Sequence, residues 1–202
     1  MSANAVIALT QNELRALLLK SREHDRRVYL LFLVKVLHGL RVSEVINLKV
    51  KDFSFDGTDW YLTVQRLKGS NKTTQKLISS TDPLFDEARL LSEWLLGMKP
   101  KQFVFTNAHD KPFTRWGVNY FVQRYALWAG VPEHKRFPHA LKHTCGIQMR
   151  RSGATLETIQ NALGHKRLDS TAMYLRVTQD EVDDARAKAF AANLDASCFL
   201  GQ

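Results

Sequence analysis

The segment between His139 and Tyr174 has the side chains needed to attack a phosphodiester without a metal ion. His139, Lys142 and His143 come first, and Leu-Gly-His165 and Tyr174 follow. A tyrosine hydroxyl has an unperturbed pKa of about 10, so a tyrosine that attacks phosphate at neutral pH needs bases and cations beside it. Three histidines and a lysine supply both kinds of group. The composition of this segment therefore indicates phosphodiester chemistry.

The same histidines admit a second interpretation, a zinc site. His139 and His143 are four residues apart on a predicted helix and share one face, and His165 would complete a set of three nitrogen ligands. Two features oppose this interpretation. Ala140 stands where the zinc-protease helix motif has a glutamate, and Lys142 would bring positive charge toward the metal ion. We therefore expect no metal ligands here and no cofactor.

These residues must be positioned by a mainly helical domain that carries one small antiparallel sheet. At 202 residues and 45% hydrophobic content, the chain can bury a core as one globular domain. Capping residues and apolar periodicity predict the helices, and aromatic and β-branched runs between Gly and Asn turns predict three strands. Ser43 is expected to cap the third helix, with Arg41 in the tight turn before it. The predicted helices begin with one after Thr10 and continue at about 25–38, 43–48, 86–96, 114–129, 139–151, 155–163, 170–177 and 180–193, and the strands lie at about 53–55, 60–64 and 73–78.

The charge balance favours a polyanionic partner. Lys and Arg total 29 against 20 Asp and Glu, which gives a formal charge of +9 and a sequence pI of about 9.7. Such a balance fits nucleic acid or an acidic membrane surface. We expect no signal peptide, because the first residues do not combine a basic region with a sustained apolar core, and no run approaches the ~20 apolar residues of a membrane span. Cys145 and Cys198 are expected to be free thiols in a reducing compartment, so we expect a cytoplasmic protein.

Order and spacing give a resemblance to a known family. Tyr174 alone would be assigned to a hydrophobic core, and Arg41 or Lys68 alone to the surface. Together the residues resemble the catalytic domain of the tyrosine recombinases, the phage-integrase family, over about 10–174. The motifs that carry the resemblance are His38-Gly-Leu-Arg41-Val-Ser-Glu44, Lys68-Gly69, His139-x-x-Lys142-His143, and Leu163-Gly164-His165 with Tyr174 nine residues later.

The resemblance implies a role for each matched residue. The implied catalytic residues are Arg41 as the first phosphate-binding arginine, Lys68 as the proton donor to the leaving 5′-oxygen, His139 and Lys142 on the His-x-x-Arg motif, His165 on the following His/Trp position, and Tyr174 as the nucleophile. Glu44 and His143 support the site. Arg41, Lys142 and His165 would stabilise the charge that grows on the phosphate oxygens, and His139 would accept the phenolic proton or bond the phosphate. Lys142 departs from the family pattern, which usually has arginine there.

The resemblance also implies the reaction and its partners. The expected function is site-specific cleavage and rejoining of DNA by a recombinase or integrase. A 3′-phosphotyrosyl link keeps the energy of the broken bond, so rejoining needs no ATP, and the chemistry needs no metal. The expected partners are double-stranded DNA at a specific site, further copies of the chain and accessory DNA-bending proteins, without a membrane. The basic residues expected to face DNA are Lys72, Lys76, Arg115, Lys135, Arg136 and Lys166.

The expected organisation is one catalytic domain over residues 1–202. Its core spans about 10–177, and the tail at 178–202 is long enough to pack on a neighbouring protomer. No DNA-clamping domain is expected ahead of the core, so the chain is either an excised catalytic fragment or a short recombinase of the kind that inverts fimbrial DNA. Two other functions use nearly the same residues: a type IB topoisomerase, and a DNA-binding relative made inactive by Lys142. A recombinase is preferred, because the offset from His165 to Tyr174 is integrase-like.

Overall fold

The computed structural model of the protein describes residues 6–66, 72–166, 171 and 174. Within these residues the chain is mostly helical and has one three-stranded sheet, which confirms the predicted fold class. None of the described helices is long and apolar enough to cross a lipid bilayer. The helix predicted at 180–193 lies outside the described residues, and so does the helix predicted at 170–177 apart from residues 171 and 174. The described helices are α1 (Gln11–His24), α2 (Arg26–Leu37), α3 (Val42–Val45), α4 (Glu87–Leu95), α5 (Arg115–Trp128), α6 (Pro138–Arg151) and α7 (Leu156–Leu163), with short 3-10 turns at Val50–Asp52 and Glu133–Lys135.

Helix α2 lies at the centre of the fold. Every residue from Val28 to Val36 is buried, as expected for a helix that is apolar on nearly all sides. The neighbouring α1 begins at a capping box, in which Glu13 N donates to Thr10 Oγ1 (3.2 Å) and Thr10 N donates to Glu13 Oε2 (2.7 Å). Helices α4 and α6 also contact α2. The part of α6 that carries the predicted motif therefore rests on the core.

The sheet is antiparallel, and its strands follow chain order. They are β1 (Phe53–Phe55), β2 (Trp60–Val64) and β3 (Thr73–Lys76). Val64 pairs with Thr73 next to the segment that joins β2 to β3. Strand β3 ends before the predicted Ile78, because the Ile78 N–H donates to the Glu87 carboxylate (3.1 Å) instead of to a strand. Strand β3 also contacts α7, so the sheet lies beside the segment that leads to His165.

The serine cap predicted for the third helix is wrong. Helix α3 begins at Val42, and its N-cap is Arg41, which has extended backbone angles (φ −70°, ψ 158°). Glu44, at the third helical position, turns its carboxylate back to the backbone N–H of Arg41 (2.8 Å). The helix start is therefore fixed by Glu44 instead of Ser43. Arg41 still occupies the turn between α2 and α3, as the sequence indicated.

Candidate active site

Three segments of the chain meet around the side chain of Lys142, which projects from α6. Its Nζ donates to the carbonyl of Gly39 (2.9 Å), just after α2, and to the carbonyl of Leu163 (3.2 Å), at the end of α7. The residue is only 2% exposed. Arg41 and His165 each follow one of these carbonyls by two residues. Lys142 therefore holds together the segments that carry Arg41 and His165.

Burial gives two lysines of this region unusual pKa values. Burial, together with the positive charges of Arg41 and Arg66, lowers the pKa of Lys142 to about 7. Lys35 on α2 is completely buried, and its Nζ donates to the carbonyl of Leu40 (2.5 Å). Burial and the charge of Lys142 lower the pKa of Lys35 to about 7 as well. The sequence interpretation missed Lys35, because a single lysine in an apolar helix is expected to face solvent.

Arg41 is held by Glu44 and still reaches solvent. Its Nη1 donates to Glu44 Oε1 (2.7 Å), while 23% of the Arg41 side chain stays exposed. Burial alone would raise the pKa of Glu44, but the hydrogen bonds from Arg41 and the charge of Arg66 outweigh it and lower that pKa to about 2. The carboxylate is therefore ionised at neutral pH and orients a guanidinium that can bind an anion. Lys68, the predicted proton donor, lies outside the described residues.

Arg66 is a further cation of the site, and the sequence interpretation missed it. Its side chain is completely buried, and its Nη1 donates to Glu44 Oε2 (3.2 Å). The alternation of β2 could have indicated it, because Leu62, Val64 and Arg66 share one face of an extended segment and are all buried. An arginine on a buried face must be paired and hydrogen-bonded.

His139 and His143 lie one turn apart on α6, with their ring centroids 5.0 Å apart. His139 is exposed, but the protein around its ring displaces part of its hydration, and this desolvation, with the charges of Lys35 and Lys142, lowers the pKa of His139 below its ordinary value. Burial, with the charges of His139 and Lys142, lowers the pKa of His143 to about 4. Both rings are therefore neutral at neutral pH and able to accept a proton.

Tyr174 is enclosed by protein. It is 1% exposed, and its ring packs with Cys145 and Leu163. Its hydroxyl lies 3.1 Å from His143 Nδ1. Gly146 makes room for the ring, because a Cβ at that position would lie 2.6 Å from Tyr174 Cζ. Burial raises the pKa of Tyr174 well above its usual value. The phenol is therefore neutral here, and it must move or gain cationic neighbours before it can attack.

His165 borders a cleft between β3 and the end of α7. It follows Gly164, which ends α7 in the left-handed conformation (φ +63°). Its Nδ1 lies 2.9 Å from Thr171 Oγ1. Burial and the charge of Lys142 lower the pKa of His165 to about 4. The cleft has a volume of about 390 Å³ and is also lined by Lys72, so it combines a neutral imidazole with a cation.

The six basic residues predicted to face DNA differ in their surroundings. Lys72, Arg115 and Lys166 are exposed, and so is Lys76. The members with a protein partner are Lys76 with Asp59 (2.5 Å), Lys135 with Glu13 (2.9 Å) and Arg136, whose Nε donates to the carbonyl of Val131 (2.6 Å). Lys72, Arg115 and Lys166 are the better candidates for phosphate contacts, because Lys76, Lys135 and Arg136 would have to exchange an existing partner.

The histidines of the zinc interpretation face different partners. His143 Nδ1 faces the hydroxyl of Tyr174, and His165 Nδ1 faces Thr171. Across residues 6–66, 72–166, 171 and 174, no group of three His, Cys, Asp or Glu side chains is arranged to hold a metal ion. Metal independence stays a prediction.

The order of these motifs agrees with a known family. A model of the phage integrase family matches residues 8–181. The chain belongs to this family. The resemblance indicated by the motifs is thereby confirmed, and the match includes every residue assigned to the site.

This member of the phage integrase family is similar to known proteins over most of its length. It is 32% identical over 189 residues to the tyrosine recombinase XerA of Pyrococcus furiosus, covering 90% of this chain and 61% of that protein. It is 28% identical over 173 residues to the type 1 fimbriae regulatory protein FimB of Escherichia coli, with 82% of each protein covered. The chain therefore spans about three fifths of XerA and most of FimB.

Solved structures share the fold of this phage integrase family member. The crystal structure of XerA recombinase matches it with a TM-score of 0.76 at 21% identity, covering 93% of this chain and 66% of that one. The XerH site-specific recombinase, bound to its difH substrate, matches with a TM-score of 0.72 at 23% identity, covering 93% and 56%. The packing of helices around a small sheet is therefore that of a tyrosine recombinase catalytic domain.

Proposed function

We propose that the chain catalyses site-specific cleavage and rejoining of DNA through a 3′-phosphotyrosyl intermediate. The observation that carries the proposal is the meeting of the segments that hold Arg41, Lys142 and His165, joined by the bonds of Lys142 to Gly39 and Leu163. Membership of the phage integrase family supports the same reaction. A topoisomerase is not proposed, because the relatives are recombinases.

In the proposed step the phenolic oxygen of Tyr174 forms a bond to phosphorus, and the bond from phosphorus to the 5′-oxygen breaks. The phenolic proton passes to a neutral imidazole. His143 Nδ1 lies 3.1 Å from the hydroxyl, and the His139 ring is its neighbour on α6. The leaving 5′-oxygen takes its proton from Lys68. Attack by a 5′-hydroxyl on the phosphotyrosine reverses these steps, so atoms balance without ATP or metal.

Arg41, Lys142 and His165 are proposed to bind the phosphate. The pKa of Lys142 is about 7, and an arriving phosphate raises it, because an opposite charge favours the ammonium form. DNA binding would therefore charge Lys142 fully. A lysine lacks the planar fork with which arginine bonds two phosphate oxygens, but it still neutralises transition-state charge. We therefore propose an active enzyme in preference to an inactive DNA-binding relative.

The proposed substrate is double-stranded DNA at a specific site, and the proposed partners are further copies of the chain. The exposed cations Lys72, Arg115 and Lys166 are suited to phosphate contacts. The tail at 178–202 is proposed to pack on a neighbouring protomer, and accessory DNA-bending proteins are proposed to assist. Because the substrate is chromosomal or mobile DNA, we propose that the chain acts in the cytoplasm at the nucleoid.

A nicked suicide substrate with the end sequence of the chain's own genetic element tests this function. The nick lets the cleaved fragment diffuse away, so the covalent protein–DNA adduct accumulates and is quantified on a denaturing gel. We expect an adduct in the presence of EDTA and none from Tyr174→Phe, which removes one hydroxyl and little volume. Tyr125→Phe changes another buried tyrosine, on α5, and should form as much adduct as wild type.

Three results would contradict the proposal. An adduct from Tyr174→Phe would show that another residue is the nucleophile. Loss of the adduct in EDTA, with recovery on adding zinc, would identify a metalloenzyme. A wild-type protein that binds its site without forming an adduct would be a DNA-binding relative.

A further inference from the structure

Arg66 connects the segments of the site from inside the protein. Its Nε donates to Thr73 Oγ1 (3.0 Å) and its Nη1 to Glu44 Oε2 (3.2 Å). Its Nη2 donates to the carbonyls of His38 (3.0 Å) and Ala162 (2.7 Å). These partners belong to β3, to α3, to the end of α2 and to α7. One guanidinium therefore joins four elements.

The buried guanidinium of Arg66 is suited to hold other groups, not to bind a substrate. Its side chain is 0% exposed. A buried charge loses its hydration, so it persists only when it is paired and hydrogen-bonded. Burial lowers the pKa of Arg66, the charge of Glu44 opposes this, and an arginine stays protonated in proteins. Because the planar fork is rigid, it fixes the directions of its acceptors relative to one another.

The first connection leads from Arg66 to Arg41. The two arginines share the Glu44 carboxylate, with Arg41 Nη1 at 2.7 Å from Oε1 and Arg66 Nη1 at 3.2 Å from Oε2. Glu44 also bonds the backbone N–H of Arg41 (2.8 Å). Loss of Arg66 would remove a cation that fixes this carboxylate, and the Arg41 guanidinium would turn with it.

The second connection leads from Arg66 to His165. Gly164 packs on the aliphatic stem of Arg66, because a Cβ at Gly164 would lie 2.5 Å from Arg66 Cγ and 2.9 Å from Cδ. The carbonyl of Ala162 accepts from Arg66 Nη2 (2.7 Å) and from Gln75 Nε2 (2.7 Å). The turn that ends at His165 is therefore held from one side by Arg66.

We propose that Arg66 is a positioning residue that sets Arg41 and His165 relative to each other at the scissile phosphate. This inference rests on the proposed function. Catalytic side chains must be held within about 0.5 Å of their productive geometry. A displacement of ~1 Å can cost about 100-fold in rate. An uncharged side chain at this position should therefore slow cleavage without weakening DNA binding, which depends on exposed cations.

The rate of adduct formation and the affinity for uncleaved DNA distinguish this role from a purely structural one. The rate is measured in single turnovers with the nicked substrate and the affinity by fluorescence anisotropy with an intact duplex, at a temperature where circular dichroism shows each variant folded. We expect Arg66→Met to lose about 100-fold in rate at saturating DNA, with unchanged affinity. Arg66→Lys should recover part of the rate, since it restores the charge but not the fork. The control is Leu91→Ala, which removes a fully buried side chain of α4 and should keep the wild-type rate.

The proposal is wrong if folded Arg66→Met cleaves at the wild-type rate, or if Leu91→Ala is slowed as much as Arg66→Met. Should Arg66→Met fail to fold, Thr73→Val tests the same junction, because it removes only the acceptor of Arg66 Nε. A slower rate for Thr73→Val at unchanged affinity supports the proposal, and an unchanged rate overturns it. A wild-type protein without any adduct would instead overturn the proposed function, and this inference with it.

Discussion

Lys35 and Lys142 make protonation part of the stability of the fold. Each donates to a backbone carbonyl of the turn before Arg41, Lys35 to Leu40 (2.5 Å) and Lys142 to Gly39 (2.9 Å). Burial lowers the pKa of each lysine from an ordinary 10.5 to about 7. Above about pH 7 the folded chain therefore binds fewer protons at these two groups than the unfolded chain does.

Lys35→Met should change how stability depends on pH. The unfolded chain keeps Lys35 protonated up to its ordinary pKa, so the free energy of unfolding rises with pH between about 7 and the ordinary value. The variant lacks this contribution. We expect wild type to gain about 1.4 kcal/mol per pH unit relative to Lys35→Met within that window, as measured by urea unfolding at each pH.

The comparison of wild type with Lys35→Met cancels the pH effects of other groups, because those groups contribute to the free energy of unfolding of both proteins. Burial raises the pKa of Cys145 to about 11, which lowers stability as pH rises through the ordinary range of a thiol, but it does so in both proteins. Lys101→Met, at an exposed lysine, should follow the wild-type profile. Parallel profiles for wild type and Lys35→Met would show that Lys35 is charged in the folded state.

Residues of the site could be predicted from sequence where their partners are close in the chain. Arg41 and Glu44 are three residues apart and were both assigned to the site, and their side chains lie together (2.7 Å). Arg66 was not predicted, because one of its acceptors lies 96 positions away. Taken alone, Tyr174 was expected in a hydrophobic core, and it is buried, but its packing on α6 was not predicted, since it depends on the missing side chain of Gly146. Catalytic roles for these residues stay predictions.

Helix α6 offers one face to the proposed nucleophile. His139, His143 and Gly146 follow one another at intervals of four and three residues, so they lie along one face of the helix. The hydroxyl of Tyr174 lies against His143, and its ring lies over Gly146. The side chain of Lys142 extends from α6 toward the end of α2 and the end of α7, where its Nζ donates to the carbonyls of Gly39 and Leu163. Tyr174 can therefore move away from α6 without breaking the bonds of Lys142.

Gly146→Ala should displace Tyr174 from this face. A Cβ at Gly146 would lie 2.6 Å from Tyr174 Cζ and 2.8 Å from Cε1, and the ring cannot stay in place at that distance. Alanine itself favours a helix over glycine by about 1 kcal/mol, so α6 should persist. Because the displaced ring regains contact with solvent, we expect the pKa of Tyr174 to fall toward its unperturbed value of about 10. Ultraviolet titration of the variant, with Tyr174→Phe in the same background subtracted, measures this.

The control for this experiment is Gly117→Ala on α5. Its added Cβ would meet Thr114 Oγ1 at 3.2 Å and no tyrosine. It should leave the tyrosine titration unchanged. If Gly146→Ala also leaves it unchanged, the ring of Tyr174 is not packed on α6.

Capping residues predicted most helix starts, and the carboxylates of Glu44 and Glu87 caused the differences. Thr10, Thr114 and Thr155 each accept a hydrogen bond from the first turn of the helix that they precede. Helix α3 differs because it has four residues and Glu44 fixes its start. Strand β3 is shorter than predicted because Glu87 binds the backbone that would have extended it.

The positive charge of the whole molecule should make DNA binding depend strongly on salt. The chain has a formal charge of +9, and Lys72, Arg115 and Lys166 are exposed. Each phosphate contact contributes about 0.9 to the slope of log affinity against log salt, because bound counterions are released. Lys72→Ala should reduce the slope by about one contact, whereas Lys101→Ala should not. Fluorescence anisotropy over a salt series measures both, and a flat response of wild type would exclude a phosphate-dominated interface.

The hydrogen bonds that assemble the site join residues far apart in the sequence, so they form only late in protein synthesis. Lys142 and Gly39 are 103 positions apart, and Arg66 and Ala162 are 96 apart. While α7 is still to be made on the ribosome, the chain lacks the acceptors Ala162 and Leu163, so Arg66 and Lys142 are present without their full set of partners. Such long separations also slow folding, because the chain must lose the entropy of closing a long loop before these contacts can form. The proposed cleavage of DNA therefore has to wait until α7 has emerged from the ribosome.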